Sequence, residues 1–490
     1  MRPEKAKKLR QFLRRLTQRQ ATAVARGIET ERALGQKALP SDQILEALRP
    51  QLRLANAKRV PTLHRLACAA LEDFLTDRND DPRPPGVIAR AALDPWWAAL
   101  HRVAAAELTD FEAELKELVT RDDDAGMQLL GDTVARAARG WTESILVQLA
   151  ARKGDPALKK LFPDPLLRVD LREIARVLPL GGAVKLGIDA VIRVASQNGE
   201  AQGRRISDLG PATLGEAKHQ YQRLSDAFGL DASYFALGLL NKLERAWAIL
   251  RLGRALSWKP NDALVRDTEF GIIGERLIAD LQRQAREIVA AAGTPGVIEE
   301  LPALQARLGA YIEDAEGLLG EFGFRRDSPW GEAILTTRAQ VARAVADGLA
   351  PRIGEAALEV LPQMQRAGAR RLVQVPDLAR LPDSRVTLRA ESGAYFLRFL
   401  LQRGARHGLG VAARSIIERL GEEMDRRASQ LLDELRAAPE NAVIPAQLGA
   451  AQRVLDALFE DGRGELLGRR LRNAQAAARQ GGSDVYGLLS

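Results

Sequence analysis

The sequence predicts an all-α protein: an irregular multi-helix bundle or an elongated stack of helices, with at most one minor β-hairpin. Three observations carry this. Apolar residues recur at helical spacing along nearly the whole chain, and Pro, Gly and Asp clusters interrupt that spacing at regular intervals. Strand-like patterns are confined to "RRLVQVPDL" and "SRVTLRA", around residues 370–390.

From the N-terminus, a first helix is expected over residues 4–34. Leu9, Phe12, Leu13 and Leu16 form a narrow apolar stripe there, while Lys5, Lys7, Lys8, Arg10, Arg14, Arg15 and Arg19 occupy much of the remaining surface. Arg53, Lys58, Arg59 and Arg65 extend the positive charge beyond it. Cys68 falls in the apolar run "RLACAALEDFL" and is expected as a small core residue. In "DPWW", Asp94 reads as an N-cap with Pro95 at the first helical position. One ring of the Trp96–Trp97 pair is then expected to pack inward.

Further along, "TLGE" pairs Thr213 with Glu216 at capping-box spacing. "AWAILRLGRAL" at 246–256 faintly resembles the first helix of a tetratricopeptide repeat, but no second copy follows at 34 residues, which argues against a regular solenoid; Trp247 and Trp258 are expected in the core. Over 262–291, Leu277, Leu281, Ala285 and Ile288 share one face. "SPWGE" starts another helix, with Ser328 as cap and Pro329 following. Over 413–436, Ile417, Leu420, Met424, Ala428, Leu431 and Leu435 step by three and four, giving an amphipathic helix with one buried stripe.

The joints fall at 77–86, 153–165, 196–211, 292–302 and 438–445. They divide the chain into a basic N-terminal helical segment (1–78), a helical domain (86–200), a long-helix middle domain (204–300) and a C-terminal bundle (302–480). A flexible tail (481–490) completes the expected organisation.

The 490 residues carry a net charge of +8, but unevenly. Residues 1–70 hold 16 Lys and Arg against 5 Asp and Glu, a net +11, so the remaining residues sum to −3. The basic isoelectric point therefore belongs to the N-terminal segment. Most basic residues are Arg (13 are Lys), a bias expected of a GC-rich bacterial genome. The apolar fraction of 46% excludes a wholly disordered chain, and a single Cys excludes a disulfide scaffold. No run of 18 uncharged apolar residues is present, and the N-terminus lacks the apolar core of a secretory signal, so a cytoplasmic protein is expected, free or at the inner face of the membrane.

Motifs for familiar chemistry are missing. The four histidines form no zinc signature, and neither a Walker A loop nor G-x-S-x-G occurs. Glu216 and His219 give one Glu-x-x-His, but a di-iron bundle needs two, and the capping role explains Glu216 better. The acidic runs from Asp77 and Asp122 place the wrong residues at the sixth and twelfth calcium-loop positions and read as caps and turns. "GLGVAAR" and "DGRGELLG" each contain G-x-G without a preceding strand, and read as helix breaks. No metal or cofactor is expected.

These readings point to a non-enzymatic helical scaffold or adaptor. Its residues 1–65 would dock on an anionic surface (membrane, nucleic acid or acidic protein) while the neutral body binds protein partners. Two alternatives stay open: an enzyme or ligand-binding protein whose site is assembled from distant Arg, Asp, Glu and Tyr residues, and a nucleic-acid-binding protein.

Overall fold

A computed structural model describes residues 62–487 apart from 79–80, 122, 153, 257–265, 267, 322–323, 325–326 and 368–371, together with residues 13, 16, 20, 24, 44 and 48. The chain folds as two units, residues 1–69 with 97–141, and residues 70–96 with 142–490.

The first unit contains α1 (Leu63–Ala69), α2 (Leu93–Val103) from Trp97 onward, α3 (Ala105–Thr120) and the part of α4 (Asp124–Ala150) up to Trp141. Its interior is aliphatic, including Leu13, Leu48, Leu63, Leu100, Leu108, Leu115 and Val134. Trp97 is half-exposed and stacks on His64 at 4.8 Å, with His101 edge-on at 5.3 Å. The acidic run before α4 works as a cap: Asp123 Oδ1 accepts from the Gly126 amide at 2.8 Å.

In the second unit, α5 (Pro156–Leu161) and α6 (Pro165–Val177) each begin at a proline behind an aspartate. Asp155 accepts from the Ala157 amide and Asp164 from the Leu166 amide, satisfying donors the first turn leaves open. Then follow α7 (Gly181–Gln197), α8 (Pro211–Phe228), α9 (Ser233–Leu240), α10 (Leu250–Leu256), α11 (Gly271–Gly293) and α12 (Leu301–Glu321). The unit closes with α13 (Pro329–Ala342), α14 (Ala350–Ala357), α15 (Ser384–Arg403), α16 (Gly410–Ala437), α17 (Val443–Leu458) and α18 (Arg463–Gly487). All eight residues of α9 are buried, so it is a core helix on which α7, α8 and α11 pack. Around α15 stand α12, α14, α16 and α17.

The chain is all-α with many helices, as its periodicity requires. Strands among the described residues form three two-stranded ladders. β1 (Leu75–Thr76) runs parallel to β2 (Ile88–Ala89), while β3 (Ala201–Gln202) with β4 (Arg205–Ile206) and β5 (Gln363–Ala367) with β6 (Leu372–Pro376) are antiparallel. A strand of an antiparallel pair does fall at 372–376, but its partner is 363–367. "SRVTLRA" is instead the first turns of α15, because Asp383 accepts from the Arg385 amide at 3.1 Å and starts a helix.

Several start signals behave as read. Ser328 Oγ caps α13 by accepting from the Gly331 amide at 3.0 Å, and Ile417, Leu420, Met424, Ala428, Leu431 and Leu435 are all buried along α16. Gly408 and Gly462 adopt φ of +78° and +81° immediately before α16 and α18, a left-handed turn that suits glycine. Other signals slip. Asp94 lies inside the first turn of α2, since a 3₁₀ turn at Arg90–Ala92 feeds the helix at Leu93. Thr213 is no cap, because Pro211 begins α8 two residues earlier; the buried Thr213 hydroxyl donates to Glu200 at 2.5 Å, and Glu216 accepts from Gln220. Between α13 and α14 a π-helical turn, Arg343–Leu349, widens the helix just before Pro351, which has no N–H to donate.

Candidate functional site: an arginine-lined cleft

The second unit contains a cleft of about 200 Å³ whose lining comes from distant parts of the sequence. Arg78 approaches from the loop after β1, Arg205 from β4, Asn241 and Leu243 from the segment after α9, and Trp247 from the following turn. Arg276, Asp280, Leu281, Arg283 and Gln284 come from α11, and Asp314 and Leu318 from α12.

Local bonding explains how these groups meet. Arg276 donates from Nε to Asp280 at 2.7 Å, from Nη1 to the Pro85 carbonyl at 3.4 Å and from Nη2 to Asn241 Oδ1 at 3.2 Å. Asn241 in turn donates to the Asp73 carbonyl at 2.8 Å. β4 is tied to the same segment, because the Ile206 amide donates to the Lys242 carbonyl and the Glu244 amide to the Ile206 carbonyl. Arg205 Nη1 reaches the Asn241 carbonyl at 3.0 Å. Beneath this, the carboxylate of Asp73, only 5% exposed, pairs with Lys242 at 2.6 Å.

Trp247 forms a wall, and α12 is shaped to receive it. Glu313, Gly317 and Glu321 follow at four-residue intervals and therefore share one helix face. Arg245 bonds Glu313 at 2.9 Å and Arg251 bonds Glu321 at 2.6 Å. Between these two ion pairs the indole lies against Gly317, where a methyl group would come within 2.3 Å of the ring. The Arg245 and Arg251 guanidiniums lie 6.0 and 5.5 Å from the ring centroid. Trp247 is thus a half-buried wall of the cleft and not the core residue its apolar neighbours suggest.

The lining holds four arginines against two aspartates, a formal +2. Asp280 takes the Arg276 bond and stands 3.7 Å from Arg283, which also pairs with Glu287 at 2.8 Å. Asp314 accepts from Gln284 Nε2 at 2.7 Å; burial raises its carboxyl above the ordinary range, partly offset by that bond. Arg78 and Arg205 have no carboxylate partner among the described residues. Trp247 Nε1 and Gln284 Oε1, both buried, have no hydrogen-bond partner among the described residues. Guanidiniums are planar donors suited to an anion, and Leu240, Leu243, Leu277, Leu281 and Leu318 give the cleft its apolar part.

No family model, curated protein or solved structure matches the chain. The chemistry of the site is therefore argued from its own groups.

The residues singled out for an anionic surface divide between undescribed and described positions. Lys5, Lys7, Lys8, Leu9, Arg10, Phe12, Arg14, Arg15, Arg19, Arg53, Lys58 and Arg59 lie outside the described residues. Leu13 is buried and Leu16 half-buried, and Arg65 is exposed on α1. Cys68 is half-buried on the same helix. Among the described residues no three His, Cys, Asp or Glu side chains gather as a metal set, and no helix is long and apolar enough to cross a membrane.

The cleft residues were not singled out in the sequence. Arg276, Asp280 and Gln284 are four apart, a spacing indistinguishable from a solvated polar stripe. The Glu-x₃-Gly-x₃-Glu pattern of α12 was the one local signal, since a glycine between two flanking carboxylates marks a flat seat on a helix.

Proposed function

We propose that the helical body is a binding protein for a small anionic ligand held in the arginine-lined cleft. The observation that carries this reading is the presence there of Arg78 and Arg205, two guanidiniums from separate segments without a carboxylate partner among the described residues, beside Arg276 and Arg283. Elsewhere in the same unit Arg83 is paired with Asp170 and Arg389 with Glu359. Thermal unfolding of the full chain with and without a panel of small anions tests it. A ligand at ten times its dissociation constant is expected to add about 1.4 kcal/mol. The double variant Arg78→Gln/Arg205→Gln should lose most of that gain; an equal gain in the variant overturns the reading.

A second reading rests on the charge partition. A net +11 in residues 1–70 beside a body of −3 supports a cytoplasmic helical scaffold that docks on an anionic surface through residues 1–65 and binds protein partners through its body. Leu13 and Leu48 are buried, so truncation would remove core as well as charge. Replacing Lys5, Lys7, Lys8 and Arg10 by Gln lowers the charge without deleting any residue. Binding to anionic vesicles or duplex DNA should weaken in that variant and with rising salt. Affinity that is flat in both comparisons ends this reading.

A further inference from the structure

We infer that the outer edge of β5 takes an extended, acidic segment of a partner protein as a third strand. This rests on the second reading only in that the body meets a protein; the cleft and residues 1–65 play no part.

The ribbon leaves that edge open. β5 and β6 form a sheet of two strands, with no third strand among the described residues. The Asp377 amide donates to the Pro362 carbonyl at 3.0 Å, which makes 362 and 377 a hydrogen-bonded pair. Alternation along the register then makes 364 with 375 and 366 with 373 hydrogen-bonded pairs. It turns the N–H and C=O of Gln365 and Ala367 outward. The devices that blunt an edge are missing: β5 has no proline, and its register with β6 runs without a bulge.

The faces are open as well. α16 holds the base of the ribbon, where Gln363 Nε2 donates to Gln430 Oε1 at 3.2 Å and Pro376 is buried. Beyond the base, residues 364–367 and 372–374 are all exposed. The register puts Met364, Arg366, Val373 and Val375 on one face, and Met364 and Val373 remain 48% and 44% exposed there. A ribbon of two strands is marginal by itself and gains from a third.

Charge selects the occupant. Residues 363–376 carry Arg366, Arg370 and Arg371 and no acid, the last two arginines lying outside the described residues. Arg366 has no carboxylate partner among the described residues. A strand laid along β5 sets residues two apart opposite Met364 and Arg366, so the fitting pattern is an apolar residue and a carboxylate separated by one residue. A second copy of this chain would bring its own arginines to the same edge. A nucleic acid would meet, on the described strands, one cation set among apolar side chains.

Fluorescence anisotropy of labelled peptides with the full chain tests this inference. The peptides alternate threonine and valine: one has glutamate at its central valine position, one has lysine there, and one has proline on both sides of the glutamate. The glutamate peptide should bind about fivefold tighter than the lysine peptide, the size of one cross-strand charge pair, and the proline peptide should not bind. Arg366→Glu should reverse the order of the glutamate and lysine peptides, which a general loss of structure would not do. Gln365→Pro should abolish binding of both while leaving the ladder to β6, because the lost N–H points outward. No peptide binding at millimolar concentration, an order unchanged by Arg366→Glu, or affinity indifferent to Gln365→Pro overturns the inference. So does a dimer that Gln365→Pro dissolves, or duplex DNA binding that Arg366→Glu abolishes, when the peptides do not bind. Vesicle binding through residues 1–65 is unaffected by any of these outcomes, so the docking reading is judged separately.

Discussion

Gly317→Ala on α12 separates a designed seat for Trp247 from incidental proximity. A β-carbon at Gly317 would lie 2.3 Å from Cε2, 2.4 Å from Cδ2 and 2.4 Å from Nε1 of the indole, whereas ordinary contact begins near 3.4 Å. The ring must therefore retreat by about 1 Å. It is held from both sides by Arg245 on Glu313 and Arg251 on Glu321, so retreat strains two ion pairs as well as the turn Ala246–Ile249. Overpacking of this kind costs about 1–3 kcal/mol. Against it stands a helix-propensity gain of about 1 kcal/mol for Gly to Ala. The same helix supplies the control: a β-carbon at Gly309 comes no closer than 3.8 Å to Phe399, so Gly309→Ala should collect the propensity gain with no clash. Urea denaturation followed by far-UV circular dichroism should place Gly317→Ala below Gly309→Ala by about 1–3 kcal/mol. The Gly317 variant should also lose affinity for whatever anion the wild-type cleft binds. Equal stability of the two variants refutes the seating argument.

Three further predictions follow from buried or paired charges. Asp170 receives Arg83 through two contacts, Nε at 3.0 Å and Nη2 at 3.1 Å, as well as the Ala89 amide at 3.0 Å, with both charged side chains at most 1% exposed. Asp170→Ala removes both of these contacts from a guanidinium held in the interior, so urea unfolding should show a loss of about 3–5 kcal/mol; a loss below 1 kcal/mol would contradict the burial argument. His407 is buried, with Nε2 3.4 Å from Glu316, and burial together with the positive charge of Arg338 lowers its pKa. A lowered folded-state value means this contribution to stability is present above about pH 6.5 and is lost as pH falls below it, so the His407→Gln variant should show a shallower decline between pH 6.5 and 5. On α16, hydrogen bonds from Arg426 and then Arg427, opposed by partial burial, bring Glu423 from 4.5 down to about 2. That contribution is present above pH 4.5 and disappears towards pH 2; after solvent screening it amounts to about 1 kcal/mol, and wild type and Glu423→Gln should converge in acid.

What the sequence made legible was local. The α16 stripe is buried because its 3–4 spacing defines a face whatever lies opposite, and Ser328 caps α13 because its hydroxyl meets an open first-turn donor while Pro329 supplies helix-ready φ. Where two local signals competed, the nearer constraint prevailed. Pro211 started α8 before Thr213 could, and the Asp383 cap turned the β-branched "SRVTL" into helix. The strand pattern holds over 372–376, but pairing is not a local property, and its partner at 363–367 carries no alternation to announce it. The cleft lies beyond local reading altogether: Arg78 and Gln284 meet across more than 200 residues, through Asn241, whose side chain joins the Asp73 carbonyl to Arg276. Nothing in the neighbourhood of Asn241 distinguishes it from an ordinary helix-terminal asparagine.

The stability of the ligand-free chain gives an independent test of why Arg78 and Arg205 are arginines. If they held the fold together, their removal would cost stability, as loss of Arg83 would. Their surroundings argue the reverse. The lining already has a formal excess of two positive charges, and Arg205 has one backbone bond at 3.0 Å against mutual repulsion with its neighbours. Replacing an exposed, like-charged residue changes stability by a few tenths of a kcal/mol, and where repulsion dominates the change is favourable. Arg78→Gln/Arg205→Gln is therefore expected to match or slightly exceed wild type in urea denaturation at low salt, with the difference vanishing as salt rises. Residues that weaken the empty protein but are kept for occupancy are the signature of a binding site, since activity and stability are optimised against each other there. A loss of more than 1 kcal/mol in the double variant would identify the two arginines as structural and remove the main support for a ligand in the cleft.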